Sequence, residues 1–438
     1  MMPAAQHEIT TPSPLLRPDG RLTEAGWARA PLLDCNLEQA AFYPLPLRFL
    51  QGFRIKRWDY YAVFSPRRFF SATIADLGYA GNLFVYTMDF ATGDLHEEGL
   101  VVPLGKGVEL PRNSDAGDSR FEDKRLKLAF TLHEGRRHLS VSWLAFHEGR
   151  GIEAEIDLQV EPAYESMAIV IPIGERRFYL NRKINCLPAS GAVRYGDVTD
   201  TLDPATCVGS LDWGRGVWEY KSFWNWASAS GFLPDGRTVG LNLGRGFGDL
   251  SKAGENALIL DNRIHKLGDV AFDYSSGDYM RPWTFTDEDG RLRLLFTPFK
   301  DRTAKTNLGI MDSEVHQMFG RYNGTAVTDG GETVEIRDLL GFAEVSSFSW
   351  PVGTTAADEG LELVDSSADV TILNAGNLFL EMFCFHTPEP APQDPQRPVW
   401  DEGISLICLD VDDAEGVHRR LVDGGAVEEE PPRATGDV

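Results

Sequence analysis

LDWGRGVWEYKSFWNWASASGFLPDGRTVGLN, residues 211–242, carries four of the chain's ten tryptophans, Trp213, Trp218, Trp224 and Trp226, within fourteen residues. Asp212, Arg215, Glu219, Tyr220 and Lys221 are interleaved with them, so aromatic surface and proton-holding groups share one segment. In an extended strand side chains alternate between two faces. From Trp218 onward Tyr220, Ser222, Trp224, Trp226 and Ser228 therefore share a face, an aromatic wall. Gly214 and Gly216 bracket Arg215, and a bend or bulge there would aim Asp212 and Arg215 out of the regular pleat. The wall has two readings: the packed core of a large sheet, because tryptophans bury much area, or one side of a ligand cavity.

Period two continues in both directions from this stretch. From about residue 47, Phe49, Gln51 and Phe53 lead into RIKRWDYYAVFSP, and SATIADLGYAGNLFVYTMDFATG follows with glycine-marked turns. The clearest alternation is RLKLAFTL (125–132), HLSVSWLAF (138–146) and IEAEIDLQV (152–160), joined by the turns HEGRR and HEGRG. Ile152, Ala154, Ile156, Leu158 and Val160 take one face of the third strand and Glu153, Glu155, Asp157 and Gln159 the other, the pattern of an antiparallel meander with one wet side. A second run of strands reaches GRYNGTAVTDGGETVEI, with Gly and Asp or Asn at almost every joint. So many short strands predict a mainly β protein, two antiparallel barrels or sandwiches in series that divide between Glu161 and Ala189. Residues 1–35 read as an irregular surface arm, 36–180 as the first β domain and 181–340 as the second. Residues 341–438 change character: VTILNAGNLFLEMFCFH gives two strands, GISLICLDV a third, and DDAEGVHRRLVDGGA a helix ended by Gly424 and Gly425.

At 438 residues the chain can bury a sizeable core without disulfides or metals. Its net charge of -24 and pI near 4.8 argue against nucleic acid or an anionic membrane surface as a partner. The five cysteines are far apart and form no CxxC pair, and no run of eighteen apolar residues occurs, so a cytoplasmic location is expected.

RKINCLPASGAVRYG (182–196), LDWGRGVWEYKSFWNWASASG (211–231), GLNLG (240–244), ENALILDN (255–262) and FGRYNGTAVTDGGETVEIRDLLGFAE (319–344) resemble the family catalogued as domain of unknown function 2804, over residues 10 to 350. The order of these motifs also looks like the paired lipocalin-like domains of carotenoid hydratases and some pericyclases, where an Asp-Trp-Gly-like element and tryptophans line a pocket for an apolar substrate. That likeness implies two lipocalin-like, calycin-type halves. DLLGF (338–342), AGNLFLEMF (375–383), GISLICLDVDD (403–413) and VHRRLVDGGAVEEEPP (417–432) resemble the vicinal-oxygen-chelate or glyoxalase-like fold. Glu381 stands at that family's first-half glutamate position, but Leu406 replaces its second-half histidine, and the sequence given ends at Val438 ahead of the final strands. The expectation is a partial α+β module without a metal, because one ligand does not hold a divalent ion. Its exposed sheet edges favour pairing with a second copy, as a homodimer, or with the β domain.

Asp212 is the candidate general acid: beside Trp213 and Trp218 a carboxyl would be desolvated toward protonating an alkene or carbonyl. The competing reading is a salt bridge to Arg215 or a turn cap. Lys183, Asn185 and Asn181 share one strand face and would bring a cation and amides to the same cavity, or else lie on a solvated outer face. GRGFGDL (244–250) reads as a strand-end bulge, since no helix or phosphate-binding lysine follows it. No GxSxG and no paired histidines occur. Two functions remain in front: a binding protein for an apolar small molecule, with Lys183, Asn185, Arg215, Trp218, Tyr220, Trp224 and Trp226 at the cavity, or a cofactor-free lyase or isomerase with Asp212 as acid. A structural or interaction role is the third. None of the three requires a cofactor.

Overall fold

The computed structural model describes residues 6–174, 176–218, 222–307 and 312–349, together with two further strands at 367–374 and 379–387. The protein is mainly β. Among the described residues, strands form one sheet of thirteen, one of nine and two two-stranded ribbons. Both large sheets are antiparallel, as the alternating pattern requires, and each curls into an open half-barrel. Residues Met1–Thr355 form one compact unit and Ala356–Val438 another.

The first sheet is centred on the paired strands Phe178–Tyr195 and Val208–Val217. Ile55–Phe64, Arg68–Asp76, Ala80–Asp89 and Leu95–Pro103 extend it one way. The meander Leu126–His133, Arg136–Trp143 and Ile152–Gln159 extends it the other way, with Ile152, Ala154, Ile156 and Leu158 buried. The second sheet begins at Ser222 and is built around Ser222–Phe232 and the long strands Leu292–Asn307, Asp312–Val327 and Thr333–Ser349. The change of sheet therefore falls between Val217 and Ser222, later in the chain than the sequence pattern suggested. The eighteen-residue strand Phe178–Tyr195 pairs with Met167–Pro172, Ile152–Gln159 and Val208–Val217, so a division near residue 180 would cut a continuous ladder.

Each half has its own apolar core, one around Leu128, Val141, Ile156 and Trp213 and one around Trp283, Phe285, Phe296 and Tyr322. Two further clusters lie along the seam and take side chains from both sheets: Ile169 and Ile171 with Ala257 and Ile259, and Phe69 and Tyr86 with Phe319 and Phe342. Asn185 fastens the seam, donating from its amide to Ser228 Oγ at 3.0 Å and Ser230 Oγ at 3.2 Å. Arg302 of the second sheet grips Glu97 of the first at 2.5 and 2.8 Å.

Two local expectations are corrected. Residues 6–35 are not a surface arm: Ile9, Leu15 and Leu16 are buried in the first core, Gly26–Ala28 adds a strand beside Met167–Pro172, and Arg29 ties Glu165 at 2.9 Å to the Ile264 carbonyl at 2.7 Å. The segment around Phe49, Gln51 and Phe53 is a 3-10 helix, Leu45–Arg54, rather than a strand, because proline in its first turn fixes helical φ and supplies no ladder donor. In the C-terminal unit, Ser367–Asn374 and Phe379–Thr387 pair as antiparallel strands; the predicted Gly-Asn turn lies outside the described residues. The predicted helix at 412–423 and Leu406 lie outside the described residues.

Candidate functional site

Cross-strand neighbours on one face of a sheet lie side by side, and the register of the first sheet sets out three rows across Ile55–Phe64, Val208–Val217 and Phe178–Tyr195. The rows are Tyr60, Asp212 and Lys183; then Trp58, Gly214 and Asn181; then Lys56, Gly216 and Tyr179. The middle strand contributes glycine to two of the three rows, which opens space above it. A Cβ on Gly214 would meet the Trp58 ring at 2.0 Å. The glycine lets the indole lie across the strand, and its Nε1 then donates to Asp212 Oδ1 at 3.2 Å. The strand runs regularly to Val217 without the bend expected at these glycines.

These rows form one wall of a cavity of about 690 Å³ between the two sheets. The opposite wall is a row of the second sheet: Trp226, Glu344, Gln317 and Arg302. Trp218, Trp224 and Phe247 close one side as mutually edge-on rings, with centroids 5.3 to 5.7 Å apart. Phe247 is carried there by a turn whose flanking Gly246 and Gly248 have φ of +89° and +72°.

The floor of the cavity holds a buried charge cluster. Lys183 Nζ lies 2.8 Å from Asp212 Oδ2, 3.5 Å from Glu255 and 4.0 Å from the Trp226 ring centre. Burial alone would lower its pKa, but Asp212 and Glu255 together outweigh that and hold the ammonium above the ordinary lysine value. Asp212 Oδ1 also accepts from Asn181 Nδ2 at 2.6 Å, so three donors converge on one carboxylate. Burial pushes Glu255 above the ordinary glutamate range, with Lys183 pulling it partly back and Asp212 adding to the rise. Tyr179, hydrogen-bonded to Glu255, is driven well above the ordinary phenol value, first by burial and then by that carboxyl.

Glu344, on the facing wall, is raised by burial and is met by neutral donors: Ser346 Oγ at 2.6 Å, Trp224 Nε1 at 3.3 Å and Gln317 Nε2 at 3.4 Å. Gln317 in turn accepts from the Tyr86 hydroxyl at 2.9 Å. Among the described residues, no three histidine, cysteine or carboxylate side chains converge as a metal ligand set.

Of the residues singled out from sequence, the cavity brings together Lys183, Asp212, Trp218, Trp224 and Trp226. Asn185 is on the same strand but lies at the seam, outside the lining. Arg215 points to the other face, fully buried against Trp213, where it pairs with Asp59 at 3.0 Å and donates to the Pro111 carbonyl at 3.1 Å. The Asp212 salt bridge is therefore to Lys183 rather than to Arg215. Tyr220 lies outside the described residues. Sequence reasoning passed over Lys56, Trp58, Tyr60, Tyr179, Glu255 and Glu344. For the first three the signal was present: in IKRWDYY, Lys56, Trp58 and Tyr60 alternate on one face, an inward cation beside two aromatics.

No curated protein matches the chain. Two solved structures are similar to it at low identity. One is a putative AttH from Nitrosomonas europaea, 15% identical, covering 69% of this chain and 96% of that one with a TM-score of 0.42. The other is kievitone hydratase from Nectria haematococca, 8% identical, covering 67% and 88% with a TM-score of 0.35. The family model described as domain of unknown function (DUF2804) matches residues 6–350, most of the length, and the chain belongs to that family.

Proposed function

We propose that the protein binds an apolar small molecule in the cavity between two lipocalin-like half-barrels, with its tryptophans as the main contact surface. The observation that carries this reading is the cavity itself: about 690 Å³, walled by Trp58, Trp218, Trp224, Trp226 and Phe247, with the buried polar groups Lys183, Asp212, Glu255 and Glu344 placed on its floor and facing wall. Small-molecule sites have this construction, mostly apolar surface with a few placed polar groups, whereas a sheet core is filled to near-crystalline density. Mass spectrometry of molecules released from gently purified protein tests it. A stoichiometric apolar ligand, displaced by a competing apolar probe, is the expected result; protein that carries none and binds no probe contradicts it.

A second reading, a cofactor-free lyase or isomerase acting on the same class of ligand, is favoured by Glu255. Asp212 accepts from three donors and serves to hold Lys183 in place. Glu255 has its affinity for a proton raised by burial and touches the same cavity, so on this reading it takes the acid role given from sequence to Asp212. Glu255→Gln then abolishes turnover of an identified ligand while its binding persists; unchanged turnover in the variant rules out Glu255 as the acid, and a wild type that binds the ligand without converting it belongs to the binding class. The strand Thr333–Ser349 keeps residues 341–349 in the second sheet, so the expected start of the module at 341 is too early; for the unit Ala356–Val438 we propose a partial vicinal-oxygen-chelate module that holds no metal, supported by the pairing of Ser367–Asn374 with Phe379–Thr387 and by Leu406 at the ligand position.

A further inference from the structure

Three lysines line the cavity, and two of them are matched by carboxylates within the protein, while Arg245 in the same lining is exposed to solvent. Lys183 is matched by Asp212 and Glu255, Arg302 by Glu97, and Lys305 by Glu314 at 2.6 Å. Lys56 has no carboxylate in ion-pair contact among the described residues. It is 5% exposed, donates to the Leu77 carbonyl, and has the Tyr79 ring 4.1 Å from Nζ. Among the described residues the acid whose charge acts on it, Asp76, is held in an ion pair by Arg57, and the Arg54 guanidinium opposes the ammonium further. Burying an ammonium without a counter-ion is costly, and the cost is recovered when a ligand supplies the missing charge.

We infer that Lys56 is the anchor for a single anionic group, a carboxylate, on an otherwise apolar ligand; this rests on the cavity reading above. The position within the cavity agrees with this. Lys56 sits four residues along its strand from Tyr60, so the anchor and the Lys183 row are on the order of 13 Å apart at the rise of an extended chain. Trp58 and Trp218 stand between the two ends over Gly214 and Gly216. The ligand is therefore an elongated acid whose head is at Lys56 and whose apolar body runs along the indoles toward the floor. The floor cluster gives no second place for an anion, since Lys183 is already claimed by two carboxyls.

The groups around Lys56 make the anchor sensitive to pH. Its pKa falls to about 7, first through burial and then through Arg54, with Asp76 opposing. The phenols of Tyr79 and Tyr179 are raised by burial and stay neutral in this range. Below pH 7 the ammonium is present to receive the acid; above it, binding must take up a proton, and the preference for the acid declines.

The test uses the full chain with dodecanoate and 1-dodecanol as probes, followed by tryptophan emission. At a pH of about 6 the wild-type protein binds the acid roughly tenfold or more tightly than the alcohol, the value of one charge-assisted contact. Lys56→Met brings that ratio to about one, and Lys56→Arg keeps it. Should Lys56→Met fail to fold, the wild-type ratio alone decides: it shrinks between about pH 6 and pH 9 if Lys56 is the anchor. Equal binding of acid and alcohol by the wild type, or a preference that survives Lys56→Met, overturns the anchor while leaving the cavity in place. Binding of neither probe overturns the cavity reading and the anchor with it.

Discussion

Asp212 and Glu344 are buried carboxyls of one cavity that differ in their partners. Asp212 is surrounded by donors, one of them an ammonium, whereas Glu344 meets only a hydroxyl, an indole and an amide. Removing the charge at position 212 leaves Lys183 buried with only Glu255 beside it. Asp212→Asn is therefore expected to lower stability by ~3 to 5 kcal/mol in chemical denaturation, the cost of breaking a buried pair by removing one partner. Glu344 is raised by burial above the 4.5 of an unburied glutamate, so the folded chain holds this proton to higher pH than the unfolded chain. Its contribution to stability is full below that value and is lost as pH rises through the folded value. Glu344→Gln removes the titration, so wild-type stability relative to this variant should fall as pH rises above the ordinary glutamate value, read from urea midpoints.

At the scale of elements, the strand Val208–Val217 decides the site, because its glycines leave room for rings carried by its neighbours. Gly214→Ala sets a methyl within 2.0 Å of the Trp58 ring. The substitution should displace the indole and lower stability by ~1 to 3 kcal/mol, the usual range for overpacking, with a matching loss of probe binding. The sequence could show the alternation of Trp224 with Trp226 and of Lys183 with Asn181, because a period of two is local to each strand. It could not show the rows. Lys56, Gly216 and Tyr179 come from three distant stretches, and their alignment is a property of register, set by pairing across the sheet. Glu255 and Phe247 arrive through loops whose course no periodicity encodes. The glycines of GRGFGDL, read as a strand-end bulge, turn Phe247 into the cavity. Arg215 was misdirected for a related reason: a regular strand sends it to the face opposite Asp212, and only an imagined bend would have brought the two together.

Across the whole molecule, two half-barrels share a seam built from two apolar clusters, the Asn185 amide and the pair of Arg302 with Glu97. Such a seam couples the halves, so the two sheets should unfold in one transition, with tryptophan emission and far-ultraviolet circular dichroism changing together. Asn185→Ala should shift that transition by ~1 to 3 kcal/mol, because it leaves buried partners unsatisfied. The legible part of this scale was the mainly β, antiparallel character and the presence of two large sheets in series; where one sheet hands over to the next was not, because a long strand shared by ladders carries the same period of two on both sides, and the cavity between the sheets was not, since it depends on how two curled surfaces face each other. The central claim is that this space receives an apolar ligand, and titration of a neutral apolar probe into wild-type and Trp224→Ala protein, followed by tryptophan emission, tests it most directly. The account predicts saturable quenching in the wild type and binding weakened by ~1 to 3 kcal/mol in Trp224→Ala, the scale of one large aromatic contact. Absence of quenching, together with a loss of ~3 to 5 kcal/mol of folding stability in Trp224→Ala, would mean that the tryptophan wall is packed core and would contradict it.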